Sequence, residues 1–170
     1  MTGAPTDLTP APPRAGRRSL ARLAAVQALY QIELTGAPAG SVIAEFTAHR
    51  LGKEIDGDRY AEADRSFFAE LVGGASEHRA QLDGMIAAAL PPEWPLDRLE
   101  RVLRGILRVG AFELCHRGDV PARVVINEYV EIAHAFFEGK EPGMVNGVLD
   151  CIGQLLRPAE LGGGDRGGGA

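Results

Sequence analysis

Between residues 17 and 157 apolar side chains recur at intervals of three and four, and Gly and Pro cut the recurrences into short lengths. A chain with that rhythm, and with no long alternating apolar/polar run, builds helices and not sheets. Residues 17–35 carry Leu23, Val26 and Tyr30 on one stripe with Ala25, Leu29 and Ile32 beside it, and stop near Gly36–Ala37–Pro38. A second helix is expected over Ser41–Arg50 with Ser41 as N-cap, then a polar loop, LGKEIDGDRYAEA. Asp64 opens a third segment holding Phe67, Phe68, Leu71 and Val72, which Gly73–Gly74 weakens or breaks. The next run, through Leu82, Met85, Ile86, Ala89 and Leu90, ends at Pro91–Pro92. Asp97 and Glu100 resemble a capping box ahead of the strongest pattern, Leu99, Val102, Leu103, Ile106, Leu107 and Leu114. Gly118 stops it, and Pro121 sits near the first turn of a segment carrying Val124, Val125, Ile126, Tyr129, Ile132, Ala133 and Phe136. After a turn over Gly139–Pro142 comes a last helix with Val145, Val148, Leu149, Ile152, Leu155 and Leu156, closed by Pro158. Gly147 within it is expected to mark a close approach to the helix of Ile126 and Val130. The pattern predicts an all-α fold of about seven helices.

The organisation follows: a disordered basic tail over 1–16, one helical domain over 17–157, and a flexible Gly-rich tail over 158–170 that ends in GGGDRGGGA. A hydrophobic fraction of 45% supplies a core, and no stretch reaches the ~20 apolar residues that cross a bilayer. The N-terminus has arginines without an apolar h-region, a poor secretory signal. Cys115 and Cys151, the only cysteines, form neither a disulfide framework nor a zinc motif, so a reducing cytoplasm is expected. The histidines at 49, 78, 116 and 134 lack ligand spacing, Gly73–Gly74 is no phosphate loop, and Glu128 and Glu131 read as a solvated helix face. No catalytic residue, metal or cofactor is expected.

A net charge of −5 argues against a generally basic nucleic-acid binder and turns attention to local patches. Arg14, Arg17, Arg18 and Arg22 put four positive charges in nine residues without an acid, leaving about −9 on the rest once they are subtracted. Such a cluster can be a solvated helix end. Yet positive charge at a helix N-terminus opposes the macrodipole by roughly 0.3–1 kcal/mol per exposed charge. Arg18 and Arg22 are four apart and are expected to present two guanidinium forks together, a geometry that matches phosphate oxygens. Tyr30 lies two turns beyond Arg22, where spacing favours the core over a base-stacking platform. Of Phe136 and Phe137, one is expected in the core and the other exposed. An exposed aromatic near arginines suits single-stranded RNA, whose unstacked bases offer free faces.

Residues 17–34, RRSLARLAAVQALYQIEL, resemble the opening helix of the NusB family, and 119–152, DVPARVVINEYVEIAHAFFEGKEPGMVNGVLDCI, resemble its paired last helices. FFAELVGG followed by AQLDG, and ILRVGAFEL, lie between them in the family's order, so the likeness spans roughly 17–157. It implies two packed helical subdomains and binding of the boxA element of nascent ribosomal RNA. The implied partner is NusE, a small-subunit ribosomal protein, within an RNA polymerase complex that resists termination. On this resemblance Arg14, Arg17, Arg18 and Arg22 take the place of the arginine-rich RNA-contacting segment, Tyr30 and Phe136 face the RNA, and Lys140 lies in a turn also implicated. Glu100 lies near the acidic position that contacts NusE. Ser19 and Leu20 interrupt a run that is often more continuously basic, which lowers the affinity expected of this segment alone. Two other readings stand beside this one. The first is the RNA-binding module of an rRNA methyltransferase, disfavoured because no Rossmann-type glycine segment or catalytic Cys region follows. The second is a protein-interaction bundle that does not bind RNA.

Overall fold

The computed structural model describes residues 16–51 and 64–161. Arg14, the expected N-terminal tail before Gly16, most of the expected polar loop and the Gly-rich end lie outside them. Among the described residues there are seven α-helices and no strand: α1 (Gly16–Thr35), α2 (Ala39–His49), α3 (Arg65–Glu77), α4 (Arg79–Ala89), α5 (Arg101–His116), α6 (Ala122–Phe136) and α7 (Glu141–Leu156).

The ends of these helices show local chemistry at work. Gly36 adopts φ 78°, the left-handed conformation that costs glycine least, and its N–H donates to the Ile32 carbonyl at 2.8 Å to finish α1. Asp64 caps α3 by accepting from the Phe67 N–H at 2.9 Å, as its position suggests. Ser41 does not cap α2: the helix starts at Ala39, and the Pro38 carbonyl takes the Ser41 and Val42 N–H groups. Nor do Asp97 and Glu100 form a capping box, because Asp97 belongs to a separate 3-10 turn, Leu96–Arg98, and Glu100 is an N-cap without a side-chain bond.

Helix α5 is the axis of the fold. Helices α1, α2 and α3 pack on one another, α4, α6 and α7 gather on the other side, and α5 touches all but α2 of these. Every residue from Gly105 to Leu114 is buried, Arg108 and Glu113 included. One continuous apolar core runs through both groups, from Phe46, Phe68 and Leu71 to Ile126, Tyr129 and Leu149.

Close approach, present at one and absent at the other, corrects the reading of two glycines. Gly73–Gly74 does not break α3, which continues to Glu77 and hands over to α4 at His78. A Cβ on Gly74 would overlap the Phe112 ring, so the glycine admits α5. Gly147, expected at a tight contact, is exposed, with no atom within 4 Å of the place a Cβ would take. The faces also differ in detail. Leu155, expected inward, is 78% exposed, and Val124 is exposed too. The buried stripe of α1 runs through Arg22, Ala25, Val26 and Leu29, while Leu23 is half-buried and Tyr30 lies outside.

The expected boundary at 157 gives way to a tie. Arg157 is buried, and its guanidinium donates to the carbonyls of Glu113, Leu114, Arg117 and Val120, which end α5 and lead into α6. Glu160 accepts from the Ala122 N–H at 2.7 Å, and Leu161 packs against the core. Residues 158–161 therefore belong to the packed structure, contrary to the flexible tail expected from 158.

Gly74→Ala should destabilise the fold by about 1–3 kcal/mol through overpacking against Phe112. Gly147→Ala should be neutral or stabilise by up to ~1 kcal/mol, the helix-propensity gain at an open site. Urea unfolding midpoints read both, and a Gly74→Ala midpoint equal to wild type would show that Phe112 turns aside freely.

Candidate nucleic-acid interface

The first two turns of α1 carry arginines and no acid in the opening turn, so the helix dipole does not favour their charge. Contacts from other helices hold them. The Asp64 N–H donates to the Arg17 carbonyl at 3.2 Å, while the Arg17 side chain is exposed. Arg18 lies over the Phe67 ring at 4.7 Å, with its Nε 3.9 Å from an Asp64 oxygen. Ser19 donates to Glu128 on α6 at 2.8 Å.

Arg22 departs from the expectation that it shares a phosphate-facing edge with Arg18. It is buried, and its fork meets Glu113 of α5 edge to edge: Nε to Oε1 at 2.9 Å and Nη2 to Oε2 at 2.6 Å. Its Nη1 lies 3.4 Å from Glu128, and the Tyr129 hydroxyl donates to Glu113 at 2.8 Å. Burial alone would lower the pKa of Arg22, but the hydrogen bond and charge of Glu113 outweigh it and raise the pKa above the ordinary value. Burial pushes the Tyr129 phenol well above its usual range, with the Glu113 charge adding to the shift. Glu128, read from sequence as part of a solvated face, is a half-buried member of this network.

The structure adds a residue that sequence reasoning missed. Arg117, in the turn between α5 and α6, lies 5.1 Å from the Phe67 ring centroid, the same ring that Arg18 and Arg22 flank. Its fork is engaged by Asp119 at 2.9 and 3.0 Å and by Glu70 at 2.7 Å. A buried aromatic within reach of three arginines, with carboxylates between them, makes this surface a balanced mosaic and not a uniform positive field.

The remaining predicted residues sit elsewhere. Tyr30 is 38% exposed, on an outer stripe of α1 with Gln27 and Leu34, about 12 Å along the axis from Arg22. Phe136 is 42% exposed at the end of α6, backed by the half-buried Phe137, with ring centroids 6.4 Å apart. Lys140 is exposed at the N-cap of α7, close in sequence to Phe136. Glu100 is exposed at the start of α5, roughly 20 Å along that helix from Glu113. Arg18 and Arg117 thus cluster around Phe67, with Arg17 next to Arg18 in the chain, while Phe136 and Lys140 flank the turn between α6 and α7. Among the described residues no group of His, Cys, Asp or Glu is arranged to hold a metal, and no helix is long and apolar enough to cross a membrane.

The family model described as "NusB family" matches residues 19–154, most of the chain and all of these clusters except Arg17 and Arg18. The chain belongs to the NusB family. Transcription antitermination protein NusB of Nitrobacter hamburgensis is 53% identical over 148 residues, covering 87% of this chain and 92% of that protein. Its counterpart in Rhodopseudomonas palustris (strain BisB18) is 51% identical over 158 residues, covering 91% and 94%. Among solved structures, T. maritima NusB superposes with a TM-score of 0.69 at 29% identity, covering 84% of this chain and 94% of that one. A crystal structure of antitermination factors NusB and NusE in complex with dsRNA matches with a TM-score of 0.65 at 28% identity, covering 81% and 96%. The NusB resemblance and the all-α architecture expected from the sequence are therefore both confirmed.

The Arg117 pair gives a pH signature. Its hydrogen bond holds the exposed Asp119 carboxyl down at about 2, from an ordinary 3.8. A depressed carboxyl contributes stability above its unfolded value and loses it as pH falls through its folded one, so the pair should act fully above pH 3.8 and fade towards about 2. Because Asp119 is exposed, salt should weaken the effect. An NMR titration should place Asp119 near 2 and, in Arg117→Gln, return it towards 3.8. An ordinary midpoint in the unaltered protein would mean that the pair is open in solution.

Proposed function

We propose that this NusB-family chain is a transcription antitermination factor that binds boxA-type single-stranded RNA of nascent ribosomal transcripts jointly with NusE. In this reading it works in the cytoplasm, within an RNA polymerase antitermination complex, and catalyses no reaction. The observation that carries the reading is the 53% identity to a transcription antitermination protein across 92% of that protein's length.

The chemistry of the surface supports the same role. In this reading the exposed Arg17 and the half-buried Arg18 contact phosphate, and Arg14 is expected to extend the set. Phe136 and Tyr30 expose aromatic faces on which unpaired bases can stack, and Lys140 adds a point charge beside Phe136. Arg22 leaves the set of direct contacts, because Glu113 takes the Nε–Nη2 edge of its fork and Glu128 faces its Nη1. Glu100, exposed at the head of α5, is available to a basic group of NusE. With few unopposed cations the chain's own affinity for RNA should be modest, and a second protein sharing the RNA would raise it through added contacts and effective concentration.

The test is a titration of boxA RNA and a scrambled RNA of equal length, each with and without NusE. NusE should tighten boxA binding about 5–150-fold, and RNA should tighten NusE binding by the same factor. The scrambled RNA should gain much less, since phosphate attraction carries no sequence information. Arg17→Ala with Arg18→Ala should flatten the log-affinity against log-salt slope by about 0.7 for each phosphate left without its arginine, at unchanged helicity. Equal coupling for both RNAs would reduce the chain to a nonspecific binder, and no RNA binding at low salt would defeat the proposal.

A further inference from the structure

We infer that Arg22, Glu113 and Tyr129 form a buried strut that positions the Arg17–Arg18 turn for RNA, with Arg22 acting through its neighbours and not on phosphate. The inference rests on the RNA-binding reading above and adds positioning residues to it.

The first turn of α1 cannot hold itself well. It contains arginines and no acid, so its charge opposes the dipole, and its early N–H groups lack partners within the helix. Its orientation must come from tertiary contacts, and the strongest of these lie one turn further along. Arg22 is 4% exposed at its side chain and Glu113 is fully buried, and they meet through two parallel hydrogen bonds. Two edge-on bonds fix the rotation of α1 about its axis as well as its distance from α5, which a single point contact would not do. Tyr129, fully buried, donates to the same carboxylate and so ties α6 into the joint. Glu128, the residue before Tyr129, takes both Ser19 and Arg22, which extends the joint to the turn that carries Arg17 and Arg18. The Phe67 ring, flanked by Arg18 and Arg22 at 4.7 and 5.1 Å, closes the arrangement from α3.

Charge and position predict opposite signs when Glu113 is neutralised, which makes the role testable. Glu113 and Glu128 together outnumber Arg22, leaving a net negative charge beneath a phosphate-seeking turn. On electrostatics alone, Glu113→Gln removes a repulsive charge and tightens RNA binding. If Glu113 positions the turn, the same change loosens it, because a glutamine amide can accept from only one of the two N–H groups on that edge of the guanidinium and sets its own N–H groups against the other.

The experiment uses the full chain and a fluorescein-labelled boxA-type single-stranded RNA, titrated across a salt series. Amide hydrogen exchange over Leu20–Ala24 is followed without RNA. Glu113→Gln should bind roughly tenfold more weakly, the scale of one charge-assisted hydrogen bond, with faster exchange in those amides. Tyr129→Phe, which removes one donor and keeps the ring, should move both readings the same way by less. Arg22→Lys should not rescue, because it keeps the charge and loses the fork. If Glu113→Gln does not fold, Tyr129→Phe decides. Equal or tighter RNA binding by either folded variant overturns the inference. Absence of RNA binding by the wild-type chain would instead overturn the function proposed above, and the exchange rates alone would then decide whether the strut orders the turn.

Discussion

A carboxylate with no access to water sits near the C-terminal end of the most buried helix, and much of the structure answers to it. An ionised Glu113 left alone in that setting would be prohibitively unstable, so it demands a cation with matching geometry and further hydrogen bonds. Arg22 supplies the first and Tyr129 the second, one from each helix flanking that end of α5. Three helices far apart in sequence therefore meet at one charge. Burying such a pair adds little net stability compared with apolar packing, but it is directional in a way that apolar contact is not. It determines which way α1 faces, and hence which arginines are left outside.

The same end of the molecule is reinforced from behind. Four carbonyls at the end of α5 and in the turn that follows converge on the Arg157 guanidinium, which adds a partner to those of Glu113 and Arg117, already bonded to backbone N–H groups, and supplies one to those of Leu114 and Val120. That tie holds the turn presenting Arg117, whose fork is in turn held by Asp119 and Glu70. The arginines here are thus mostly structural, and the ones that point outward are few. A surface so balanced exerts weak long-range attraction on nucleic acid, consistent with a net charge of −5 and with the proposal that RNA is bound jointly with a partner.

Helix count, most helix ends and family were legible in the residues because each is a local or near-local property. Periodicity marked α5 as the strongest helical pattern, Asp64 announced its own cap, and the segments RRSLARLAAVQALYQIEL and VNGVLD carried the likeness to NusB. A signal for Arg22 also existed. It lies three and four residues before Ala25 and Val26 and seven before Leu29, on the buried stripe, while Glu113 stands between Phe112 and Leu114 and required a cation from somewhere. Nothing local says which cation answers which acid.

By itself, then, the sequence determined that this chain is helical, where most of its helices start and stop, that it belongs with the NusB proteins, and that Arg17, Arg18 and Arg22 gather at one end of α1. Tertiary structure decided which of those arginines face solvent, why Gly74 must be glycine while Gly147 need not be, and that Arg117 joins Arg18 around Phe67. The physical reason is separation along the chain. Capping, turn chemistry and amphipathic period act within a few residues, whereas the pairing of Arg22 with Glu113, 91 positions away, exists only once α1, α5 and α6 have closed around it.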